Sequence, residues 1–176
     1  MLLKPQDIYV LLKLVVLGPH HWSYAALASD LGLSTSQLHQ AIKRSLTAGL
    51  ARNRNDLILP DFLNLEEFLV HGLRYAFMPE RGHYCWGMLT AHAVAPLKGR
   101  IKMNGEPPPV WPDPDGEVKG IAFMPLYKSA PMAARIDEQF YELLALTDAV
   151  RSGWAATFPA ATQGLKNRLE AYSRKF

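Results

Sequence analysis

At 176 residues, 49% of them apolar, the chain is long enough to bury a core in one domain or in a small domain plus an extension. Its single cysteine excludes an internal disulfide framework, and its longest apolar run, residues 8–17, is too short to cross a bilayer. The net charge is +3, and the whole excess lies in residues 1–60, where six Lys and Arg residues face three acids. A basic excess confined to one segment predicts a polyanionic partner for that segment.

Three helices are predicted in the first fifty residues. They run from residue 5 to about 18, from 24 to 31 and from 34 to about 48. Ser23 and Ser34 stand at N-cap positions, and Gln37 completes a capping box with Ser34. Gly32 supplies the tight turn between the second and third helices.

The third helix has one apolar stripe, and the rest of its circumference is polar. The stripe consists of Leu38, Ala41, Ile42 and Leu46. The polar positions carry hydroxyls, amides and positive charge but no carboxylate, which is typical of a surface that enters a DNA groove. We expect Gln40 to contact adenine and Arg44 to contact guanine or a phosphate. The candidate DNA-binding residues are Ser23, Ser34, Thr35, Ser36, Gln37, His39, Gln40, Lys43, Arg44, Arg52 and Arg54.

A short basic hairpin is predicted after these helices. Residues 50–53 and 57–59 are extended, and Arg54, Asn55 and Asp56 form the turn between them. Over about residues 4–60 the chain resembles the winged helix-turn-helix domains of MarR-like and GntR-like bacterial regulators. The residues that carry the resemblance are Leu27, Ala28, Leu31, Gly32, Leu33, Leu38, Ala41 and Ile42, followed by Ala48, Gly49 and Leu50. The resemblance implies a bacterial DNA-binding protein that is usually dimeric.

Residues 63–176 are predicted to be a dimerisation or partner-binding extension, so that the whole fold is mainly α with residues 1–62 as the winged domain. The extension contains helices over residues 64–77, 131–152 and 162–174, and a proline-rich strap over 78–130. Nine of the thirteen prolines lie between residues 78 and 131, which favours an extended segment wrapped around a dimer or partner. The candidate partner residues are Phe68, Leu69, Trp111, Phe140 and Leu144.

The sequence contains no nucleophile motif, phosphate-binding loop or convincing pair of catalytic acids. His83, Cys85 and His92 do not match a zinc spacing, and no second cysteine is present. Asp113, Asp115 and Glu117 lie in a proline-rich loop and are predicted to be turn residues or a weak cation contact. We therefore expect no enzymatic activity, no bound metal and no cofactor.

The favoured hypothesis is a sequence-specific transcriptional regulator that binds double-stranded DNA as a homodimer and inserts residues 34–48 into the major groove. Two alternatives stay open. One is an antitoxin-like autoregulator that binds a partner protein through residues 78–153, and the other is a winged-helix module that binds protein alone. The first residues lack the layout of a secretory signal, and the lone cysteine suits a reducing compartment. We expect a cytoplasmic protein that makes no membrane contact.

Overall fold

The computed structural model describes all 176 residues, and about half of them are helical. The chain begins with three helices, α1 (Pro5–Leu17), α2 (Tyr24–Leu31) and α3 (Thr35–Thr47), followed by an antiparallel hairpin of β1 (Ala51–Arg54) and β2 (Leu57–Pro60). An interrupted helix, a second, three-stranded sheet and three C-terminal helices follow. The fold is therefore mixed α/β, and the prediction of a mainly helical protein is wrong for the middle of the chain.

The predicted caps of the first helices are confirmed. The Ser23 Oγ accepts a hydrogen bond from the Ala26 amide at 3.1 Å and so caps α2. Ser34 and Gln37 form the reciprocal capping box of α3, with hydrogen bonds of 3.1 and 2.9 Å. Gly32 has a φ of +67°, in the left-handed region, which ends α2 and turns the chain into α3.

Helix α1 lies at the centre of the molecule. Its residues 8–15 are all buried, because α3 packs on one side of the helix while the C-terminal helices pack on the other. One continuous cluster of 37 buried apolar residues includes side chains from both halves of the chain. Lys13 Nζ also donates to Asp137 Oδ2 at 2.7 Å across this contact. The three N-terminal helices therefore share their core with the C-terminal half.

The helix predicted over residues 64–77 begins earlier and is interrupted. It consists of α4 (Phe62–Glu67), a π-helical turn (Phe68–Gly72) and α5 (Leu73–Ala76). The Asp61 carboxylate caps α4 by accepting from the Asn64 amide at 3.2 Å. Leu69 is fully buried in the chain's own core, and Phe68 is half-buried against it. Because Leu69 is fully buried in its own core, its predicted role in a dimer contact is wrong, whereas the role of the half-buried Phe68 stays a prediction.

The proline-rich strap is a folded sheet. It contains β3 (Arg81–Leu89), a short 3₁₀ turn (Ala91–Ala93), β4 (Pro109–Pro112) and β5 (Val118–Phe123). Strand β3 pairs antiparallel with both β4 and β5, and these two pair with each other in parallel. The three strands therefore form a small closed barrel. Prolines are compatible with this sheet because their carbonyls still accept: Pro108 from the Ile121 amide at 2.9 Å, and Pro109 from the Thr90 amide at 3.1 Å.

Glycine allows the strands of this small sheet to approach closely. A Cβ atom on Gly87 would lie 2.1 Å from the carbonyl oxygen of Trp111, and one on Gly120 would lie 2.1 Å from that of Pro108. Neither position has room for a side chain.

Trp111 joins the sheet to the C-terminal helices. It is 1% exposed, and its Nε1 donates to Asp148 Oδ2 at 2.7 Å. Phe140 and Leu144 are equally buried in the same cluster. The predicted partner role of these three residues is wrong, because the strap folds back on its own chain and buries them there.

The C-terminal helices are α6 (Ala130–Ile136), α7 (Glu138–Arg151) and α8 (Phe158–Ser173). The single helix predicted over residues 131–152 is divided at Asp137, whose extended backbone ends α6 and whose Oδ1 caps α7 by accepting from the Phe140 amide at 3.0 Å. Helix α8 begins four residues before the predicted start at 162. None of the helices combines the length and the apolar character that a membrane span requires.

Candidate nucleic-acid interface

The polar face of α3 is exposed and carries no carboxylate. Its exposed side chains, with the preceding cap, are Ser34, Thr35, Ser36, Gln37, His39, Gln40, Lys43 and Thr47. With 3.6 residues per turn, Ser36, Gln40 and Lys43 fall within about 60° of one another around the helix axis. They lie opposite Leu38, which is fully buried. These three residues form the centre of the exposed face.

Arg44 lies outside this face, contrary to its predicted position. It is 8% exposed, and its Nε and Nη2 donate to the two carboxylate oxygens of Asp7 at 2.8 and 2.7 Å. These hydrogen bonds hold the pKa of the Arg44 guanidinium above its usual value. Two of its three guanidinium nitrogens are bound to Asp7, and the side chain is held against α1, away from the exposed face. The position of Arg44 at the border of the apolar stripe lets its long side chain reach α1.

Three other candidate residues have defined contacts within the chain. The Gln37 side chain accepts from the Ser34 amide and donates to the Tyr127 hydroxyl at 3.3 Å. The His39 ring stacks on that of Tyr24, with ring centres 3.7 Å apart and planes 7° from parallel. Gln37 and His39 flank the exposed centre and are held in place there. Ser23 is committed to its cap.

The hairpin presents two free cations. Arg52 and Arg54 are exposed, and their cross-strand partners are Leu59 and Leu57, so both arginines lie on the same face of the hairpin. The seven ion pairs of the chain include neither of them and do not include Lys43. Asn55 and Asp56 have φ values of +51° and +63° and form the predicted turn.

The loop before α6 adds a cation that sequence reasoning missed. Tyr127 contacts Gln37 on α3 across 90 residues of sequence. The next residue, Lys128, is exposed and forms no ion pair. No local pattern signals this position, because only the packing of the C-terminal half against α2 and α3 brings it there.

The same loop supports the turn between α2 and α3. Ser129 Oγ donates to the Leu31 carbonyl at 2.5 Å, and the Tyr9 hydroxyl donates to the same oxygen at 3.1 Å. A Cβ atom on Gly32 would lie 2.7 Å from the Ser129 Cβ. Burial raises the pKa of Tyr9, so its hydroxyl remains a donor at neutral pH. Ser129 from the C-terminal half and Tyr9 from α1 therefore hold the turn that leads from α2 into α3.

The structure assembles no metal site from His83, Cys85 and His92. His83 is exposed, Cys85 is half-buried and His92 is 4% exposed. No three His, Cys, Asp or Glu side chains are placed to hold a metal ion together. Asp113 is a turn residue as predicted, accepting from the Asp115 amide at 3.1 Å, and it also pairs with Arg135.

No protein-family model matches the chain, and neither a curated protein nor a solved structure matches it.

Proposed function

We propose that residues 1–60 form a winged helix-turn-helix that binds duplex DNA sequence-specifically, and that the protein regulates transcription. Helix α3 enters the major groove, while the hairpin β1–β2 lies on the adjacent backbone or minor groove. The observation that carries the proposal is the carboxylate-free face of α3 beside three exposed cations without ion pairs, Lys43, Arg52 and Arg54.

On this surface the cations contribute affinity for DNA, and the amide side chains contribute base recognition. The unpaired cations neutralise phosphates and release condensed counterions, which supplies affinity independent of sequence. Gln40, at the centre of the exposed face, has the amide geometry that pairs with the N6 and N7 positions of adenine. We assign Arg44 no part in base recognition, because two of its guanidinium nitrogens bind Asp7 and its side chain lies outside the exposed face.

A salt titration tests the proposal directly. Fluorescence anisotropy with a labelled random duplex, between about 50 and 200 mM salt, should give a steep negative slope of log affinity against log salt. A Lys43→Ala, Arg52→Ala, Arg54→Ala variant should bind far more weakly and lose about one unit of slope per phosphate contact removed. Its fold should persist, because all three side chains are exposed and unpaired.

A charge-matched control separates this surface from general basicity. Lys98, Arg100 and Lys102 are exposed and unpaired in the loop before β4, and their triple replacement by Ala removes the same charge. The control variant should bind as the wild type does. If the first variant binds like the wild type, or both variants lose affinity equally, the proposed interface is wrong.

We place the homodimer contact on the exposed face of β3. Tyr84 and Trp86 are 57% and 53% exposed, and their cross-strand partners, Ile121 and Lys119, put both rings on one face. Exposed aromatic pairs of this kind are enriched at protein interfaces. Light scattering should show a dimer that a Tyr84→Ser, Trp86→Ser variant converts to monomer. A monomeric wild type would show that the homodimer proposal is wrong. In that case, the exposed face of β3 would be the candidate site for the partner protein of the antitoxin-like alternative.

A further inference from the structure

A cavity of about 180 Å³ opens between the second sheet and the end of α7, away from the residues proposed to bind DNA. Its walls are largely apolar and include Pro109, Phe123 and Trp154. Three ionisable side chains also line it: Arg81, His92 and Glu106. Its volume is comparable to the roughly 150 Å³ that accommodates a benzene molecule in an engineered protein cavity.

Arg81 is a cation without an anionic partner. Its guanidinium lies 4.3 Å from the ring centre of Trp154 and belongs to none of the chain's ion pairs. Its side chain is exposed in part, and the atoms packed against the rest desolvate it and lower its pKa below the usual value. It stays charged at neutral pH, since an arginine loses its proton only far above that range. A partly desolvated guanidinium beside apolar walls favours a carboxylate from a ligand.

His92 supplies a second polar group. It is 4% exposed, its Nε2 has no hydrogen-bond partner in the chain, and its ring lies 5.1 Å from that of Trp154. Burial, and then the charge of Arg81, lower its pKa below 6.5, while Glu106 opposes that shift. The imidazole is therefore neutral at pH 7. Because buried polar atoms are nearly always hydrogen-bonded, its free nitrogen indicates a missing partner.

We propose that this cavity binds a small planar monocarboxylate. Its carboxylate pairs with Arg81 and takes a hydrogen bond from His92, and its apolar body lies against Trp154 and Pro109. The ligand is about the size of a substituted benzene ring, as the volume requires. None of these residues belongs to the DNA interface, so ligand binding is independent of the proposed function.

Because Glu106 also lines the cavity, the test has to compare ligands of negative, zero and positive charge. Its carboxylate lines the same cavity but forms no ion pair with Arg81. A ligand with a positive charge would favour Glu106, whereas one with a negative charge would favour Arg81. Benzoate, benzamide and benzylamine share one ring and differ in charge, so they separate these cases.

The experiment measures binding of these three probes to the full chain by calorimetry at pH 7. We expect benzoate to bind at least about tenfold more tightly than benzamide, because a charge-assisted hydrogen bond replaces a neutral one. Arg81→Gln should abolish that preference, while Glu106→Gln should strengthen benzoate binding by removing a repulsive charge. Arg100→Gln, which removes another exposed cation, outside the cavity, should change nothing.

Circular dichroism of Arg81→Gln checks that the variant folds, and a change in tryptophan fluorescence that is absent from Trp154→Phe reports that the probe enters this cavity. Equal binding of benzoate and benzamide, preferential binding of benzylamine, or unchanged benzoate binding by Arg81→Gln would each overturn the proposal. Absence of benzoate binding at millimolar concentration would do the same.

Discussion

The guanidinium of Arg44, near the end of α3, binds both carboxylate oxygens of Asp7, in the first turn of α1. Asp7 is fully buried and also accepts from the Lys4 amide at 2.8 Å, so one carboxylate caps α1 and attaches α3 to it. This pair fixes the angle at which α3 presents its exposed face. The role of Arg44 is structural. The adjacent residue, Lys43, is one that we propose binds DNA.

Replacing Arg44 should unfold the protein more easily, whereas replacing Lys43 should not. Arg44→Ala leaves the buried carboxylate of Asp7 without its partner and should lower the free energy of unfolding by about 3–5 kcal/mol. Lys43→Ala removes an exposed, unpaired side chain and should change it by no more than about 0.5 kcal/mol. Urea denaturation of the two variants measures the difference.

A double replacement separates stability from DNA recognition. Asp7→Leu with Arg44→Met removes both charges and fills their volume, so the stability lost in Arg44→Ala should largely return. DNA affinity should then equal that of the wild type. A stable double variant that no longer binds DNA would show that Arg44 contacts the duplex after all.

Lys128 should contribute to DNA binding from the C-terminal half. Lys128→Ala should weaken binding about equally for all duplex sequences and reduce the salt slope by about one, as the loss of one phosphate contact does. Anisotropy at several salt concentrations measures this, with Lys102→Ala as the control. An unchanged slope would restrict the interface to residues 1–60.

Asp148 should be essential to the packing of the second sheet against α7. It accepts from Thr90 and Trp111 at 2.7 Å each and from Arg151 at 3.0 Å. Burial raises its pKa, and the charge of Arg151 with these hydrogen bonds opposes the rise. Asp148→Ala leaves the buried guanidinium of Arg151, which is 4% exposed, without its carboxylate partner. The variant should lower the free energy of unfolding by about 3–5 kcal/mol.

Denaturation followed by tryptophan fluorescence measures that loss. Trp111→Phe removes only one of the three hydrogen bonds and leaves the charges paired, so it should cost less than Asp148→Ala. Equal losses in the two variants would contradict this assignment.

His92 should make stability depend on pH. Its folded-state pKa lies below 6.5 because burial and Arg81 disfavour the imidazolium. Below pH 6.5 the unfolded chain therefore takes up a proton that the folded chain does not, and the free energy of unfolding falls as the pH decreases towards the folded-state value. Above pH 6.5 this contribution is constant.

Urea denaturation across pH values from about 8 to about 5 measures the trend. The chain's carboxylates titrate in the lower part of this range as well, so the comparison is with His92→Asn. That variant should show a shallower decline between pH 6.5 and pH 5 than the wild type. If the free energies of unfolding of the two proteins fall in parallel with pH, the pKa of His92 is not lowered by folding.

Local signals along the sequence determined the first third of this fold. Ser23, Ser34 and Gln37 are capping residues, Gly32 adopts the left-handed backbone expected of it, and the apolar spacing of α3 gives the buried stripe. These features depend on contacts within a few residues, which is why sequence reasoning could find them. The exposed position of Arg52 and Arg54 also follows from their place on a two-stranded hairpin.

Proline density misled the prediction for residues 78–130. It correctly indicated extended backbone for the strands β3, β4 and β5 but not for the turns of residues 91–107, and whether an extended segment pairs into a sheet depends on distant partners. Strand β3 pairs with β4 more than twenty residues on, and Trp111 finds Asp148 37 residues away. A sequence pattern cannot show whether a buried aromatic side chain meets its own core or another molecule.

The sequence by itself determined which side chains α3 offers, because helical periodicity and capping act over a few residues. Only the tertiary structure decided which of them are free. Burial of Asp7 in α1 takes Arg44 out of the exposed face, and the packing of residues 127–129 against α2 and α3 brings the loop that carries Lys128 next to them. Both outcomes depend on electrostatic and packing contacts between segments far apart in the chain, which no local pattern contains.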